Sequence, residues 1–235
     1  MLVTRRQFLE SAAAVVPVVA PGARGQAAIE PRRAGQQPLQ LGDDRDGFVY
    51  VPAKYDGSVP RPLLLMLHGA GNTSQSVQYT FAMADEFGVI VLAPDSRDER
   101  TWDGVLRSWG PDVDFIGAAL AQTLDQYNVD RRHVGIGGFS DGGSYALSFG
   151  ITFGDQFGYV IAMSPGVMQP MAVRGKPRIF LSHGTSDPIM PIDETSRKFA
   201  PKLRSLGYDV TYREYDGRHS PRPGIVREAF EWFVG

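Results

Sequence analysis

The residue of this chain with the clearest chemical potential is a serine inside a Gly-x-Ser-x-Gly pentapeptide. Residues 138–142 are Gly-Phe-Ser-Asp-Gly, placed after an apolar run that starts at His133 and before a helix-like segment that starts at Gly143. This strand–turn–helix order is the context in which a strained turn exposes a serine nucleophile. The alternative is an ordinary turn serine, which would need no partner residues elsewhere in the chain.

A serine hydroxyl needs a neighbouring base before it can attack, and the base needs an acid that orients it. His219 is the candidate base and Asp187 the candidate acid, and the chain order Ser140, Asp187, His219 is nucleophile, acid, base. Three rival carboxylates fit less well, because two resemble helix-start or strand-edge residues and the third lies too close to the base in sequence. They are Asp193, Asp209 and Asp216.

The other histidines offer a second interpretation. His68 and His183 each precede a glycine at a strand end, and with His219 and Asp187 they could form a metal site. That arrangement would leave the serine turn without a role, so no metal and no cofactor are expected. His133 begins a strand and is predicted to be structural or exposed.

Short apolar strands alternate with helical segments along most of the chain. The strands are predicted at 48–52, 63–67, 89–93, 133–139, 159–163, 178–182 and 210–215, and the helices at 73–87, 115–127, 192–206 and 224–234. This alternation predicts a mostly parallel, doubly wound α/β sheet with helices on both faces. Function in such sheets lies at the carboxyl ends of the strands, which is where all three candidate residues fall.

Length and composition limit the remaining possibilities. The chain has 235 residues, a formal net charge of −2 and no cysteine, which indicates one α/β domain without disulfides or thiolate ligands. The charge gives no reason to expect nucleic acid as a partner.

The N-terminus resembles an export signal. Two arginines, Arg5 and Arg6, precede a weakly apolar run at 11–20 that is too short to span a bilayer, so stable membrane insertion is not expected. The prediction is a twin-arginine signal peptide at 1–28, a linker at 29–45 and the domain at 46–235, in an exported protein. The alternative is a disordered tail on a cytoplasmic protein.

Four motifs give the chain a resemblance to a known family. They are Leu-His-Gly-Ala-Gly at 67–71, Gly-Phe-Ser-Asp-Gly-Gly at 138–143, the segment 183–191 that contains Asp187, and Gly-Arg-His at 217–219. From Pro62 to Val234 the chain resembles the phospholipase/carboxylesterase group of α/β-hydrolases, small serine esterases related to acyl-protein thioesterases. The resemblance implies an α/β-hydrolase fold, a Ser-His-Asp triad, a small-molecule ester substrate and no cofactor. The family often has Gln where this chain has Asp141.

The same motifs imply an oxyanion hole and leave the acyl pocket open. The two donors of the oxyanion hole should be the backbone N–H groups of Asp141, after the nucleophile, and Ala70, after the predicted strand at 63–67. Candidates for the acyl pocket, each of which could equally be core, are Trp102, Trp109, Tyr145 and Met168.

The segment between the predicted strands at 159–163 and 178–182 is too short to hold a cap domain. It runs only from Ser164 to Pro177, which predicts an open site and a serine carboxylic-ester hydrolase that prefers short acyl groups. Two alternatives remain open. One is a thioesterase, amidase or polyester depolymerase with the same machinery, and the other is a non-catalytic binding protein.

Overall fold

A single mixed sheet organises the part of the chain that the computed structural model describes, residues 34–42, 44–105 and 108–235. The predicted signal peptide lies outside these residues. The strands are β1 (Gly35–Pro38), β2 (Gly47–Val51), β3 (Arg61–Leu67), β4 (Ile90–Pro94), β5 (Val129–Phe139), β6 (Tyr159–Met163), β7 (Arg178–Gly184) and β8 (Val210–Tyr215).

The strand order brings the predicted site residues to one edge. The sheet runs β1-β2-β4-β3-β5-β6-β7-β8. β2 is antiparallel to β1 and to β4, whereas every pairing from β4 through β8 is parallel. The mostly parallel sheet is therefore confirmed. The carboxyl ends of β3, β5, β7 and β8 consequently face the same way, and the loops that follow them meet there.

In the described part of the chain, four α-helices connect strands and a fifth follows β8. They are α1 (Phe81–Phe87), α2 (Pro111–Gln126), α3 (Asp141–Thr152), α4 (Ser196–Ser205) and α5 (Pro223–Val234). Among the described residues, no helix has both the length and the apolar content needed to cross a membrane.

Two segments predicted as single helices are each divided. Residues 74–80 form a 3₁₀ helix before α1, and residues 192–194 form another before α4. In the first, the hydroxyls of Ser76 and Thr80 bond to carbonyls three residues earlier, which is how short polar side chains compete with regular α-helix. In the second, Thr195 has φ −124° and ψ −101°, outside the helical region, and it separates the two pieces.

Both faces of the sheet are covered by apolar contacts. Along β3, Leu63, Leu65 and Leu67 face the layer made by α2, α3 and α4, whereas Leu64 and Met66 face α1 and α5. All five side chains are at most 1% exposed. This burial on both sides explains why the central strands are continuous apolar runs rather than alternating ones.

The sheet begins inside the segment predicted to be a linker. β1 pairs with β2 in antiparallel register, Gly35 opposite Val51 and Pro38 opposite Phe48. Its sequence, Gly-Gln-Gln-Pro, lacks the β-branched and aromatic residues that signal a strand. Its side chains alternate between half-buried and exposed, as fits a short edge strand held mainly by backbone bonds.

A row of hydroxyls on α3 fixes the segment between β6 and β7. Ser144, Ser148 and Thr152 are spaced four residues apart and so share one face of the helix. Their oxygens accept the backbone N–H groups of Gly166 at 2.8 Å, Gln169 at 2.9 Å and Met171 at 3.1 Å. Residues 164–177 therefore form a loop bonded along its length to α3.

Removing one hydroxyl of this row should loosen the loop. Ser148→Ala removes the acceptor of the Gln169 amide in a partly buried hydrogen bond, and leaving a buried amide unsatisfied typically costs about 1–3 kcal/mol. We expect the free energy of unfolding in urea to fall by about that amount, and hydrogen exchange at residues 164–171 to accelerate. The control is Ser205→Ala, whose hydroxyl bonds Lys202 at the exposed end of α4. Equal losses in the two variants would contradict a specific role for the row.

Candidate active site

The turn between β5 and α3 holds Ser140 in a strained conformation. Its backbone has φ +59° and ψ −119°, a region that residues with a side chain rarely occupy. Ser140 N donates to the Met163 carbonyl at 2.8 Å, and its own carbonyl accepts the Ser144 amide at 2.9 Å. A Cβ at Gly142 would lie 2.3 Å from the Leu67 carbonyl oxygen, so the turn can approach β3 only with glycine there.

The structure brings Ser140, His219 and Asp187 together in a continuous line of hydrogen bonds. His219 Nδ1 lies 2.6 Å from Asp187 Oδ2, and His219 Nε2 lies 2.7 Å from Ser140 Oγ. A carboxylate can only accept, so Nδ1–H donates to Asp187 and Nε2 is left to accept the serine O–H. The side chain of His219 is 14% exposed and that of Asp187 is fully buried.

Asp187 is held as a carboxylate by the loop that carries it. Its Oδ1 accepts the amides of Ile189 and Met190, both at 2.9 Å. Burial by itself raises the pKa of Asp187, but the bonds from Met190, His219 and Ile189 outweigh that effect and lower the pKa below its ordinary value. The negative charge that orients His219 is therefore present at neutral pH.

His183 stabilises the loop that carries Asp187. Its Nε2–H donates to the Met190 carbonyl at 2.7 Å and lies 3.3 Å from Asp187 Oδ2, while Nδ1 lies 2.7 Å from the Ser196 hydroxyl. Burial lowers the pKa of His183, so the ring is neutral.

The other two histidines also have structural partners. His68 Nε2 accepts the Ser96 amide at 3.0 Å and Nδ1 bonds the Gly69 carbonyl, so neither nitrogen is available to the metal considered above. His133 bonds the Phe233 carbonyl and stacks on Tyr159, in the structural role predicted for it.

The two predicted oxyanion donors lie beside the nucleophile on different elements. Asp141 is the first residue of α3, where backbone N–H groups have no partner within the helix. Ala70 lies in the loop after β3, and both residues line one cavity next to Ser140.

The Asp141 carboxylate points into the loop after β4. Its Oδ2 accepts the Thr101 hydroxyl at 2.8 Å and the Trp102 amide at 3.1 Å. Burial raises the pKa of the Asp141 carboxyl, and these two bonds act in the opposite direction. The Asp141 side chain is therefore engaged by the protein itself.

A cavity of about 630 Å³ opens at the oxyanion donors. Apolar groups form most of its wall, and two polar side chains from the loop after β4 join them. Its lining residues are Ala70, Arg100, Thr101, Val105, Asp141, Ser144, Gly166, Val167 and Met190. The volume lies in the range of small-molecule sites.

None of the four predicted acyl-pocket residues is among that lining. Trp102 and Tyr145 are 0% exposed, and Trp109 packs on Tyr145 and Phe149. Met168 packs partly buried against the core. Large aromatic rings contribute most to packing energy when they are buried. The three aromatic side chains therefore form a layer behind the cavity rather than its wall. Met190 could be predicted from the sequence as a site residue, because it lies three residues after Asp187 in the segment 183–191.

A second cleft of about 380 Å³ opens at Ser140 itself. Ser140 and His219 line it, together with Asn72 from the loop after β3, Tyr79 from the 3₁₀ helix before α1 and Ile189 from the loop after β7. Ala70 borders both spaces. Ser140 and His219 thus both line the 380 Å³ cleft, whereas the 630 Å³ cavity is lined by Asp141, the residue that follows the nucleophile.

Known proteins are similar to this chain in sequence. A family model described as "Esterase: Putative esterase" matches residues 39–223. The chain is 28% identical over 228 residues to a "Probable feruloyl esterase C" of Aspergillus flavus, covering 80% of this chain and 83% of that one. It is 32% identical over 119 residues to "Acyl-protein thioesterase 1" of Gibberella zeae, about half of either chain (46% and 50%).

A solved structure of a CE1 ferulic acid esterase from Anaeromyces mucronatus shares the fold. It has a TM-score of 0.64 and 17% identity over 90% of this chain and 92% of that chain. Since the family model spans most of the chain and the sheet has the same architecture, the protein belongs to the Esterase family of α/β-hydrolases and is a carboxylesterase-type serine hydrolase.

Proposed function

We propose that the protein hydrolyses carboxylic esters through an acyl-enzyme formed on Ser140. The observation that carries the proposal is the line of short bonds from Ser140 through His219 to Asp187. His219 Nε2 takes the serine proton as Oγ attacks the ester carbonyl, and the Asp187 carboxylate stabilises the imidazolium that forms. His219 then gives that proton to the leaving alcohol, and a water activated by the same nitrogen releases the acid.

The carbonyl oxygen becomes negatively charged during attack and needs donors placed in advance. The amides of Ala70 and Asp141 are our candidates, the second aided by the partial positive charge at the start of α3. Fixed donors of this kind need no reorganisation during the reaction, and losing one costs roughly 10²–10³-fold in kcat.

The two clefts suggest where each half of the ester binds. The leaving alcohol must lie next to His219, which protonates it, and His219 lines the 380 Å³ cleft. The acyl group then extends past the oxyanion donors into the 630 Å³ cavity. Val105, Val167 and Met190 would contact its apolar part there.

Compact acyl groups suit this cavity best. The loop at 164–177 contributes Gly166 and Val167 to the cavity wall but forms no cap domain over it, so short chains of about C2–C6 remain the first expectation, at roughly 0.8 kcal/mol for each CH₂ buried. The volume also admits a flat aromatic acyl group. An aryl-propenoyl ester is the second candidate, favoured by the similarity to a protein named feruloyl esterase.

Loss of the proposed nucleophile or base should abolish turnover. Ser140→Ala and His219→Ala should each lower kcat by on the order of 10⁴-fold or more on p-nitrophenyl acetate, and the double variant should be little worse, because the residues act as a unit. Melting temperatures check that the variants fold, and Ser205→Ala is the matched serine control. Retention of a tenth of wild-type activity by Ser140→Ala, or failure of the wild type to react with a fluorophosphonate probe, would contradict the proposal. The second result would favour a non-catalytic binding protein.

Filling one cleft should change selectivity for only one half of the ester. Val167→Trp narrows the acyl cavity and should lower kcat/KM for hexanoyl and feruloyl esters at least tenfold more than for acetyl esters. Ile189→Trp, on the alcohol side, should leave that acyl ranking unchanged but penalise naphthyl relative to methyl esters. The opposite pattern would reverse the assignment of the clefts.

An acyl series tests the substrate class. We expect kcat/KM for p-nitrophenyl esters to be greatest at C2–C6, to stay flat or fall beyond, and to show no jump at the solubility limit, because the loop at 164–177 is bonded in place. Methyl ferulate and an acyl-thioester belong in the same panel. A maximum at C12 or longer would show a longer acyl site, and preference for the thioester would identify a thioesterase.

A further inference from the structure

Residues 100–102, which we call the bridging segment, touch both halves of the proposed oxyanion hole. The two amides come from elements far apart in sequence, the loop after β3 and the start of α3. On the loop side, Gly71 N donates to the Arg100 carbonyl at 2.9 Å, and Trp102 Nε1 donates to the His68 carbonyl at 2.8 Å. These two bonds flank Ala70 in sequence, one on each side.

The bridging segment is bonded on its other side to the residue that follows the nucleophile. The Thr101 hydroxyl and the Trp102 amide both donate to Asp141 Oδ2, at 2.8 Å and 3.1 Å. Trp102 therefore contacts Asp141 through its backbone and His68 through its indole. It has 0% exposure, and its ring packs on His68 and Tyr145 with centroid separations of 4.8 Å and 5.3 Å.

The His68 side of this connection is itself fixed. His68 Nε2 accepts the Ser96 amide, so the proton is on Nδ1, which donates to the Gly69 carbonyl at 2.9 Å. Ser96 lies two residues after the end of β4 and precedes the bridging segment. The loop after β3 is thus bonded to the loop after β4 through its backbone and through a histidine ring.

We infer that Trp102 is a positioning residue that, with the Asp141 carboxylate, sets the distance between the Ala70 and Asp141 amides. The inference rests on the proposed function, because it assumes that these amides hold the oxyanion. Donors must lie about 2.7–3.1 Å from the oxygen they stabilise, and a misplacement of about 1 Å can cost 10²-fold in rate. In this mechanism Trp102 contacts neither the substrate nor the transferred proton. Its replacement should therefore raise the free energy of the transition state without changing substrate binding.

The indole N–H can be removed while an aromatic ring is kept. Trp102→Phe should lower kcat by about 10- to 100-fold with less than a threefold change in KM. It should raise the inhibition constant of a trifluoromethyl ketone, whose adduct with serine carries an oxyanion, in the same proportion as kcat/KM falls. The matched control is Trp232→Phe on α5, since the Trp232 N–H has no partner among the described residues; its kcat should stay within twofold of wild type.

Asp141 supplies a second test that does not disturb the buried indole. Both bonds from the bridging segment end on one oxygen, so Asp141→Asn can keep both while Asp141→Ala loses both. We expect Asn to restore most of the kcat that Ala removes, with melting temperatures measured for each. Equal kcat for the two variants, or a Trp102→Phe enzyme with unchanged kcat and ketone affinity, would overturn the inference. Ser140→Ala separates that outcome from failure of the proposed function: it stays inactive if only the positioning role is wrong, and it stays active if the nucleophile is wrong.

Discussion

The close approach of the Ser140 turn to the end of β3 is the constraint on which the site depends. The backbone at Gly142 lies so near the Leu67 and His68 carbonyls that a Cβ would come within 2.3 Å and 2.5 Å of their oxygens. This contact places the start of α3 directly against the loop after β3. The amides of Asp141 and Ala70 can then face one space. Any larger residue at position 142 would separate them, whatever happened to the serine itself.

The close approach of the Ser140 turn to β3 buries polar groups, and these groups are satisfied by hydrogen bonds from the surrounding residues. Asp187 is buried and accepts the amides of Ile189 and Met190 and the Nδ1–H of His219, and the neutral His183 ring donates to the Met190 carbonyl. The Asp141 carboxylate is engaged by Thr101 and Trp102. Farther along the same loop, Asp103 and Asp112 accept each other's amides at 2.7 Å, and burial with the nearby Asp112 charge raises the pKa of Asp103 to about 6. Buried carboxylates thus fix the loop that forms one wall of the cavity.

The sequence predicts what is set by periodicity and by strict backbone demands. The central strands are apolar runs because both sheet faces are covered, and Gly138 and Gly142 mark a turn that tolerates no side chain. Ser140, Asp187 and His219 could be selected because parallel strands carry their following loops to one edge. Pairings of that kind follow from topology and need no knowledge of side-chain packing.

Features that depend on packing could not be predicted in the same way. β1 is a polar edge strand specified by its partner β2 rather than by its own residues. Trp102, Trp109 and Tyr145 have the composition of a ligand pocket, but the sequence does not indicate whether an aromatic side chain lines a cavity or packs behind its wall. The structure places them behind the cavity, where they pack on one another.

Because of this placement, the aromatic side chains support the cavity wall rather than contact the substrate. A cavity walled by loops would deform under a substrate unless those loops were supported from behind. Here the loop after β4 rests on Tyr145 and Phe149 of α3, and the loop at 164–177 is bonded to the hydroxyls of the same helix. The helix that begins beside the nucleophile therefore also carries both walls. The first amide of this helix is also a proposed oxyanion donor. The walls, the donor and the serine are therefore all fixed to the same rigid helix. An acyl group bound against the walls is consequently held at a fixed position relative to the reacting atoms.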